Sequence, residues 1–218
     1  MAVSPYTRAA AGSGVLFAVL FNGALFLPGA PPKASDSAGE IARTLVGDRD
    51  AIQAGMILAG LGLICGLWFV CSVAAWLGED GRHRALVQAG ATGAVVAMVL
   101  GIVGTGLFYG AAFSVAASGD LGVVRGLTDA GNATIEMSKF GLALFALAVA
   151  AAARGAGLLP RWFTAAGLVV AGLALISTAP LFAEGSFTQF GGGLDLFGAA
   201  PLVVWVIVLS VLMTRRAR

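Results

Sequence analysis

Four polar residues near the middle of the chain are the strongest candidates for a chemical role. They are separated by three, four and three positions: Asp129, Asn132, Glu136 and Lys139. At about 100° per residue, this spacing predicts that all four lie within an arc of roughly 80° on one face of a helix. Charged groups at membrane depth are costly and rarely face lipid. The pattern therefore predicts a polar stripe that faces the interior of a bundle or a water-filled cavity.

Two interpretations of this stripe remain open. In the first, Glu136 and Lys139 form an ion pair one helical turn apart, near a membrane interface, and the role is structural. In the second, the stripe lines an outward-facing pocket for a small or lipidic ligand. That pocket would be completed by three polar residues in the outer halves of other helices: Asn22, Tyr109 and Asp195.

The composition of the chain predicts the helices that hold the polar stripe. Of 218 residues, 59% are hydrophobic and 11% are charged, whereas a soluble domain has about 25% charged residues. Each of six apolar segments approaches or exceeds the roughly 20 residues that a membrane-spanning helix needs. The sequence predicts an all-α polytopic bundle, a single domain over residues 1–218 with membrane helices at 12–28, 52–77, 86–117, 129–153, 162–182 and 195–213.

Three details refine these boundaries. The fourth helix must begin near Asp129, because the apolar run at 140–153 is too short to span alone. Ser37 and Glu40 form a capping-box pattern that predicts an amphipathic helix at 38–46, and a second short amphipathic piece is expected at 121–127. Both pieces either cover an outward cavity or lie at the membrane interface. The first segment shares features with a secretory signal, but we expect it to remain as a helix.

The loops predict the orientation of the bundle. One set of connections, with the termini, carries eight cations: Arg8, Arg82, Arg84, Arg154, Arg161, Arg215, Arg216 and Arg218. The other set carries four cations and most of the acidic residues: Lys33, Arg43, Arg49 and Arg125. Because cytoplasmic loops are enriched in Lys and Arg, we expect both termini in the cytoplasm of a bacterial cell, with the protein in the plasma membrane.

Small residues four positions apart predict where helices approach closely. They occur in the second and third apolar segments, as Gly62 with Gly66, Ala97 with Gly101, and Gly106 with Gly110.

Several classes of function are not expected. The net charge of +2 is too small to indicate a nucleic-acid partner. His83, the one histidine of the sequence, is expected to be a solvated loop residue, and Cys65 and Cys71 to be buried, packed thiols. No motif for a metal, a nucleotide or a catalytic triad is present, so we expect no cofactor.

Two stretches resemble a large bacterial family of multi-pass membrane proteins of unknown function, frequent in actinobacteria. They are the segment at 127–133 and the turn at 155–162, which ends in Leu-Pro-Arg-Trp. Further similarities are Leu-Pro-Gly at 27–29, the charged cluster at 48–50 and the basic C-terminus. Members of that family carry apolar or aromatic residues at the positions of Glu136 and Lys139. The resemblance implies a topology but no reaction, ligand or cofactor, and it implies that the charged pair is particular to this chain.

The functional hypothesis is a non-enzymatic membrane protein, either an accessory subunit of an assembly or a binder of a small lipophilic ligand. The expected partners are membrane lipid and either another protein or further copies of the chain. The alternative is a small secondary transporter or channel, because two sets of three helices would be inverted relative to each other. An intramembrane enzyme that uses Glu136 or Asp195 as an acid is the least favoured class.

Overall fold

The computed structural model describes residues 5–29, 32, 35–79, 81–181 and 193–216 of the protein. Within these residues the regular elements are helical, without a β-strand. The α-helices are α1 (Pro5–Phe26), α2 (Ala38–Gly47), α3 (Arg49–Gly78), α4 (Arg84–Gly110), α5 (Leu121–Gly155), α6 (Arg161–Ile176) and α7 (Gly193–Arg216). A π-helical turn at Ala111–Val115 and a 3-10 turn at Ala116–Ser118 extend α4, and a 3-10 turn at Ala179–Leu181 follows α6.

Six of the helices form a ring. Each contacts its two neighbours in the order α1, α3, α4, α5, α6, α7 and back to α1. Successive helices run in opposite directions, so the start of α1 and the end of α7 lie at the same end of the ring. The short helix α2 packs at the other end, against α5 and the turns that follow α4. We refer to these ends as the terminal end and the α2 end.

Three helical stretches of the described chain are long and apolar enough to cross a membrane. They are Arg49–Gly78, Arg84–Ser118 and Leu121–Gly155. Shorter apolar helices lie at Ala9–Ala24, Arg161–Ile176 and Ala200–Arg215. The prediction of an all-helical bundle is therefore confirmed for the described residues.

The helix α5 begins earlier than expected. Its first turn is capped by Asp120, whose side chain accepts a hydrogen bond of 3.2 Å from the backbone N–H of Val123. The segment 121–127 is the start of this helix, so the prediction of a separate short piece there is wrong, as is a start near Asp129. No proline interrupts the 35 residues of α5, which extend about 50 Å and exceed the roughly 30 Å of a hydrocarbon core.

The helix α6 ends earlier than expected. It stops at Ile176, although the predicted helix continued to residue 182. The hydroxyl groups of Ser177 and Thr178 donate to the carbonyl groups of Ala174 and Leu175. Pro180 has no N–H to continue the helical hydrogen bonds, and it disfavours a helical conformation in the residue before it. The chain therefore turns at this point.

Large apolar side chains fill the terminal half of the ring. The Phe163 ring stacks on the Trp205 ring with centroids 5.1 Å apart, and Phe145 meets Trp205 edge-on at 6.2 Å. Phe69 and Leu209, both buried, complete the same cluster. This half of the ring is a packed core.

Glycine allows α4 and α5 to approach backbone to backbone. A Cβ atom at Gly104 would lie 2.8 Å from the carbonyl oxygen of Gly131, and one at Gly93 would lie 2.9 Å from that of Gly141. Conversely, a Cβ atom at Gly141 would overlap the carbonyl oxygen of Gly93. The close packing of α4 on α5 thus depends on two pairs of facing glycines.

The predicted small-residue pairs have different outcomes. An added Cβ atom at Gly62 would meet Phe21 of α1, and one at Gly66 would meet both Phe17 of α1 and Met98 of α4. An added Cβ atom at Gly106 or Gly110 would meet nothing within 4 Å, so that pair does not support helix packing.

Candidate functional site

Glu136 and Lys139 form a buried ion pair on α5. The Lys139 Nζ atom lies 2.7 Å from Oε1 and 2.6 Å from Oε2 of Glu136. Their side chains are 3% and 13% exposed for Glu136 and Lys139, respectively. The predicted pair is therefore present, and it lies in the interior of the helix bundle.

The ammonium group of Lys139 also joins α5 to α6. Its Nζ atom donates to the backbone carbonyl of Ser177 at 3.1 Å. Ser177 is the residue that caps the C-terminus of α6. Cations are favourable at helix C-termini, where the last carbonyl groups lack partners within the helix. Lys139 thus reaches inward to the end of a neighbouring helix.

The other two members of the stripe are separated from this pair. Asp129 accepts a hydrogen bond of 2.8 Å from Arg125, and its side chain is 47% exposed. Arg125 also donates to the backbone carbonyl of Asp36, which ties the start of α5 to the segment before α2. Asn132 is buried, and its Nδ2 atom has no hydrogen-bond partner among the described residues. The stripe therefore divides into three parts. Asp129 belongs to a surface ion pair with Arg125, Glu136 and Lys139 form a buried ion pair, and the amide of Asn132 lies between them.

A cavity of about 130 Å³ lies inside the ring, toward the α2 end. Its wall comes from α1, α4, α5, α6 and α7, and most of the lining side chains are apolar. Among the described residues, the polar members of the wall are Asn22, Thr105, Ser138, Lys139 and Ser177.

The cavity includes two of the seven residues predicted for a ligand site. Asn22 and Lys139 line it, and Glu136 contacts Lys139 without being part of the wall. Asp129 and Asn132 also lie outside the wall. Asp195 is in α7, but its side chain lies outside the described part of the structure.

The Tyr109 side chain packs in an aromatic cluster away from the cavity. Its ring stacks on Phe113 with centroids 4.3 Å apart, and the Arg49 guanidinium lies 4.2 Å above the centroid of the Phe113 ring. This cluster lies beside the π-helical turn, where Ala111 and Ala112 pack under α2. Tyr109 therefore does not line this cavity, because the stack with Phe113 holds its ring elsewhere.

Three polar residues of the cavity wall were not predicted from the sequence. Thr105, Ser138 and Ser177 lie in or next to strongly apolar segments. Their hydroxyl groups bond to the backbone of their own helices, which removes most of the cost of placing them in an apolar setting. A search for hydroxyl residues inside the apolar segments would have identified them as candidates.

The helix α2 packs against α5 and the turns that follow α4. The predicted capping box is present: the Ser37 side chain accepts from the backbone N–H of Glu40, and the Glu40 carboxylate accepts from the backbone N–H of Ser37 at 2.8 Å. The hydrogen bond from the Ser37 hydroxyl holds the pKa of the Glu40 carboxyl below its ordinary value. Ile41 and Leu45 are buried against the turns after α4. No residue of α2 lines the cavity in the described structure, so α2 covers the end of α4 and not the cavity itself.

The histidine and the cysteines differ from expectation. His83 is partly buried, and its ring packs so closely on Gly155 that an added Cβ atom there would overlap it. Cys71 is exposed and Cys65 is partly buried, so neither is a fully buried thiol. Among the residues that the structure describes, no group of three or more His, Cys, Asp or Glu side chains could hold a metal ion.

In comparisons with known proteins, no family model, no curated protein and no solved structure matches the chain.

Proposed function

We propose that the chain is a six-span protein of the bacterial plasma membrane that holds a small lipophilic ligand in its central cavity. The observation that carries this proposal is the cavity of about 130 Å³, formed between five helices and lined mainly by apolar side chains. An apolar cavity of about 150 Å³ in another protein binds benzene or xenon. The expected ligand therefore has about the size of a single ring or a short alkyl chain.

The outer surface of the ring supports the membrane assignment. Large apolar side chains are exposed on the outward faces of the helices, for example Leu16, Val19, Ile57, Trp68, Val169, Ile176 and Val204. A soluble protein rarely exposes apolar surface on this scale. Lipid around the ring would cover these faces, including those of α1, α6 and α7, which are shorter as apolar helices.

The distribution of arginines supports an orientation with the terminal end in the cytoplasm. Arg82 lies in a connection at the terminal end, and Arg84, Arg154 and Arg161 lie in the first or last turns of the helices there. The positive-inside rule favours these connections on the cytoplasmic side. The cavity and α2 would then belong to the outer half of the bundle.

Cysteine labelling in intact host cells tests this orientation. In a background without Cys65 and Cys71, we expect Thr44→Cys in α2 to react with a membrane-impermeant maleimide. Arg84→Cys, at the start of α4, should react only after the cells are permeabilised. Both positions are exposed in the structure, so reaction of Arg84→Cys alone in intact cells would reverse the proposed orientation.

The packed terminal half of the ring favours ligand binding over transport through the bundle. Phe69, Phe163 and Trp205 fill the ring beneath the cavity, and each is at most 3% exposed. A channel would need a continuous path past these side chains. A cavity that is closed at one end by a packed core instead suits a ligand that enters and leaves on the same side.

Filling the cavity tests ligand binding directly. Gly101 lines the cavity, and a Cβ atom there would lie 3.7 Å from the Phe21 ring, which is ordinary contact. We expect Gly101→Leu to place its side chain in the cavity and to abolish the rise in thermal unfolding midpoint that toluene or phenol produces in lipid nanodiscs, since a ligand stabilises the state that binds it.

The matched control is Gly106→Leu on the same helix, where an added Cβ atom meets nothing within 4 Å. This variant should keep the full response to both probes. Equal responses in the parent and in both variants would show that the probes act through the lipid and would contradict the proposal. If Gly101→Leu fails to fold, Gly101→Ala should reduce the response in part.

A further inference from the structure

We infer that the terminal end of the ring binds anionic phospholipid on one side, along the ends of α5, α6 and α7. This inference rests on the membrane placement in the proposed function and not on the cavity. The observation behind it is a set of exposed arginines that no acidic residue balances. We refer to these residues, Arg154, Arg161 and Arg215, as the basic arc.

The basic arc lies on three neighbouring helices. Arg154 is in the last turn of α5, Arg161 is the first residue of α6, and Arg215 is in the last turn of α7. Because α6 contacts both α5 and α7, the three arginines follow one another along the rim of the ring. All three are exposed, so the arc is open to the surroundings of the protein.

The positive charge of the basic arc is not compensated within the chain. The sequence has no Asp or Glu between Glu136 and Glu184, and none after Asp195. The terminal halves of α5, α6 and α7 therefore carry no carboxylate. In the described part of the structure, none of the three guanidinium groups forms an ion pair.

The connection from α3 to α4 at the same end of the ring is balanced. It holds two acidic residues, Glu79 and Asp80, and its arginines are Arg82 and Arg84. An anionic group near this connection would be repelled by the carboxylates about as strongly as it is attracted by the arginines. The terminal end thus attracts anions along the basic arc more strongly than beside α3.

Anionic phospholipid is the partner that fits the position of this charge. Trp162 follows Arg161 and is 61% exposed, and exposed tryptophan side chains favour the level of the lipid headgroups. Arginine at that level pairs with phosphate groups through two parallel hydrogen bonds. In the proposed orientation the terminal end meets the cytoplasmic leaflet, which is rich in anionic lipid.

Competition between two lipids with the same acyl chains tests this inference. In nanodiscs with equal amounts of dioleoylphosphatidylglycerol and dioleoylphosphatidylcholine, we expect the protein to retain the anionic lipid preferentially. One basic residue near an anionic surface contributes about a fivefold gain in affinity, or about 1 kcal/mol. Arg161→Gln should therefore lower the ratio of bound anionic to bound zwitterionic lipid about fivefold, as measured by native mass spectrometry. The triple variant Arg154→Gln/Arg161→Gln/Arg215→Gln should abolish the preference.

The matched control is Arg84→Gln, since Arg84 is also an exposed first residue of a helix at the terminal end. This variant should lower the ratio much less than Arg161→Gln does, because Glu79 and Asp80 lie close by in the sequence. Arg161→Lys keeps the charge and should keep the preference. Equal losses in Arg161→Gln and Arg84→Gln would overturn the inference, as would equal retention of both lipids by the parent protein.

This experiment and the filling of the cavity have separate outcomes. If the parent retains both lipids equally while Gly101→Leu still blocks the response to toluene, the basic arc is overturned and the proposed function stands. If the lipid preference follows the basic arc in a protein that does not respond to toluene, the inference is supported and the cavity ligand is overturned. Release of the anionic lipid by inorganic phosphate at an equal concentration would show a site for free anions and would overturn the lipid as the partner.

Discussion

Gly141→Ala is expected to destabilise the protein by about 2–3 kcal/mol, although alanine is the better helix former. The added Cβ atom would overlap the carbonyl oxygen of Gly93 and would lie 3.0 Å from the Cβ atom of Ala97. A backbone carbonyl cannot rotate away as a side chain can, so α4 and α5 must separate. Overpacking of this kind costs about 1–3 kcal/mol and sometimes more, against a gain in helix propensity of at most about 1 kcal/mol.

Gly126→Ala on the same helix is the control with the opposite expected sign. An added Cβ atom at Gly126 meets nothing within 4 Å, so only the propensity gain of up to about 1 kcal/mol remains. The measurement is the free energy of unfolding of both variants in the same lipid or detergent. If the two variants have equal stabilities, the α4–α5 interface is not as close as the structure has it.

Separation of α4 and α5 should also affect the cavity. These two helices supply Gly101, Thr105, Ser138 and Lys139 to its wall. The facing glycines at 93 and 141 lie just on the terminal side of those residues, Gly104 lies next to Thr105, and Gly131 lies toward the α2 end. The glycine contacts therefore set the width of the cavity as well as the stability of the helix pair.

Lys139→Met is expected to cost about 3–5 kcal/mol of stability, the usual range when one partner of a buried ion pair is removed. Methionine has a similar length and occupies the same space, so the loss reflects charge and not volume. The substitution would leave the buried Glu136 carboxylate without the ammonium that now contacts both of its oxygens. It would also remove the hydrogen bond to Ser177 at the end of α6.

Two further variants separate the charge effect from packing. Glu136→Leu combined with Lys139→Met should recover much of the lost stability, because apolar replacement of a whole buried pair is often neutral or stabilising. Asp129→Asn removes one partner of the exposed pair with Arg125 and should cost at most about 1 kcal/mol. If Lys139→Met is no more destabilising than Asp129→Asn, the pair does not contribute to the fold as its burial indicates.

Local features of the sequence determined much of the secondary structure. The apolar segments predict helices, and the helices lie where they are expected, with differences of a few residues at most ends. The capping box at Ser37 and Glu40 predicts α2 to within one residue. The spacing of Glu136 and Lys139 predicts their contact, because residues three apart on a helix are neighbours whatever the tertiary structure. These predictions depend on interactions within one or two helical turns.

Helix boundaries that depend on side-chain caps and backbone hydrogen bonds were predicted less well than the apolar segments. The cap at Asp120 and the absence of any proline make α5 continuous from Leu121, although its first turns are not strongly apolar. The end of α6 depends on Ser177, Thr178 and Pro180 acting together. Hydropathy alone does not detect such signals, because it measures transfer to lipid and not backbone hydrogen bonding.

The tertiary structure decided which residues line the cavity. Sequence placed Asp129, Asn132 and Lys139 on one face of one helix, but a single face of a 35-residue helix meets several different surroundings along its length. Asp129 pairs with Arg125, and Tyr109 stacks on Phe113. Among the predicted residues whose side chains the structure describes, only Asn22 and Lys139 reach the cavity. The rotation of each helix and the choice of its neighbours depend on contacts distant in sequence, above all the facing glycines of α4 and α5, so the periodicity of one helix could not predict them.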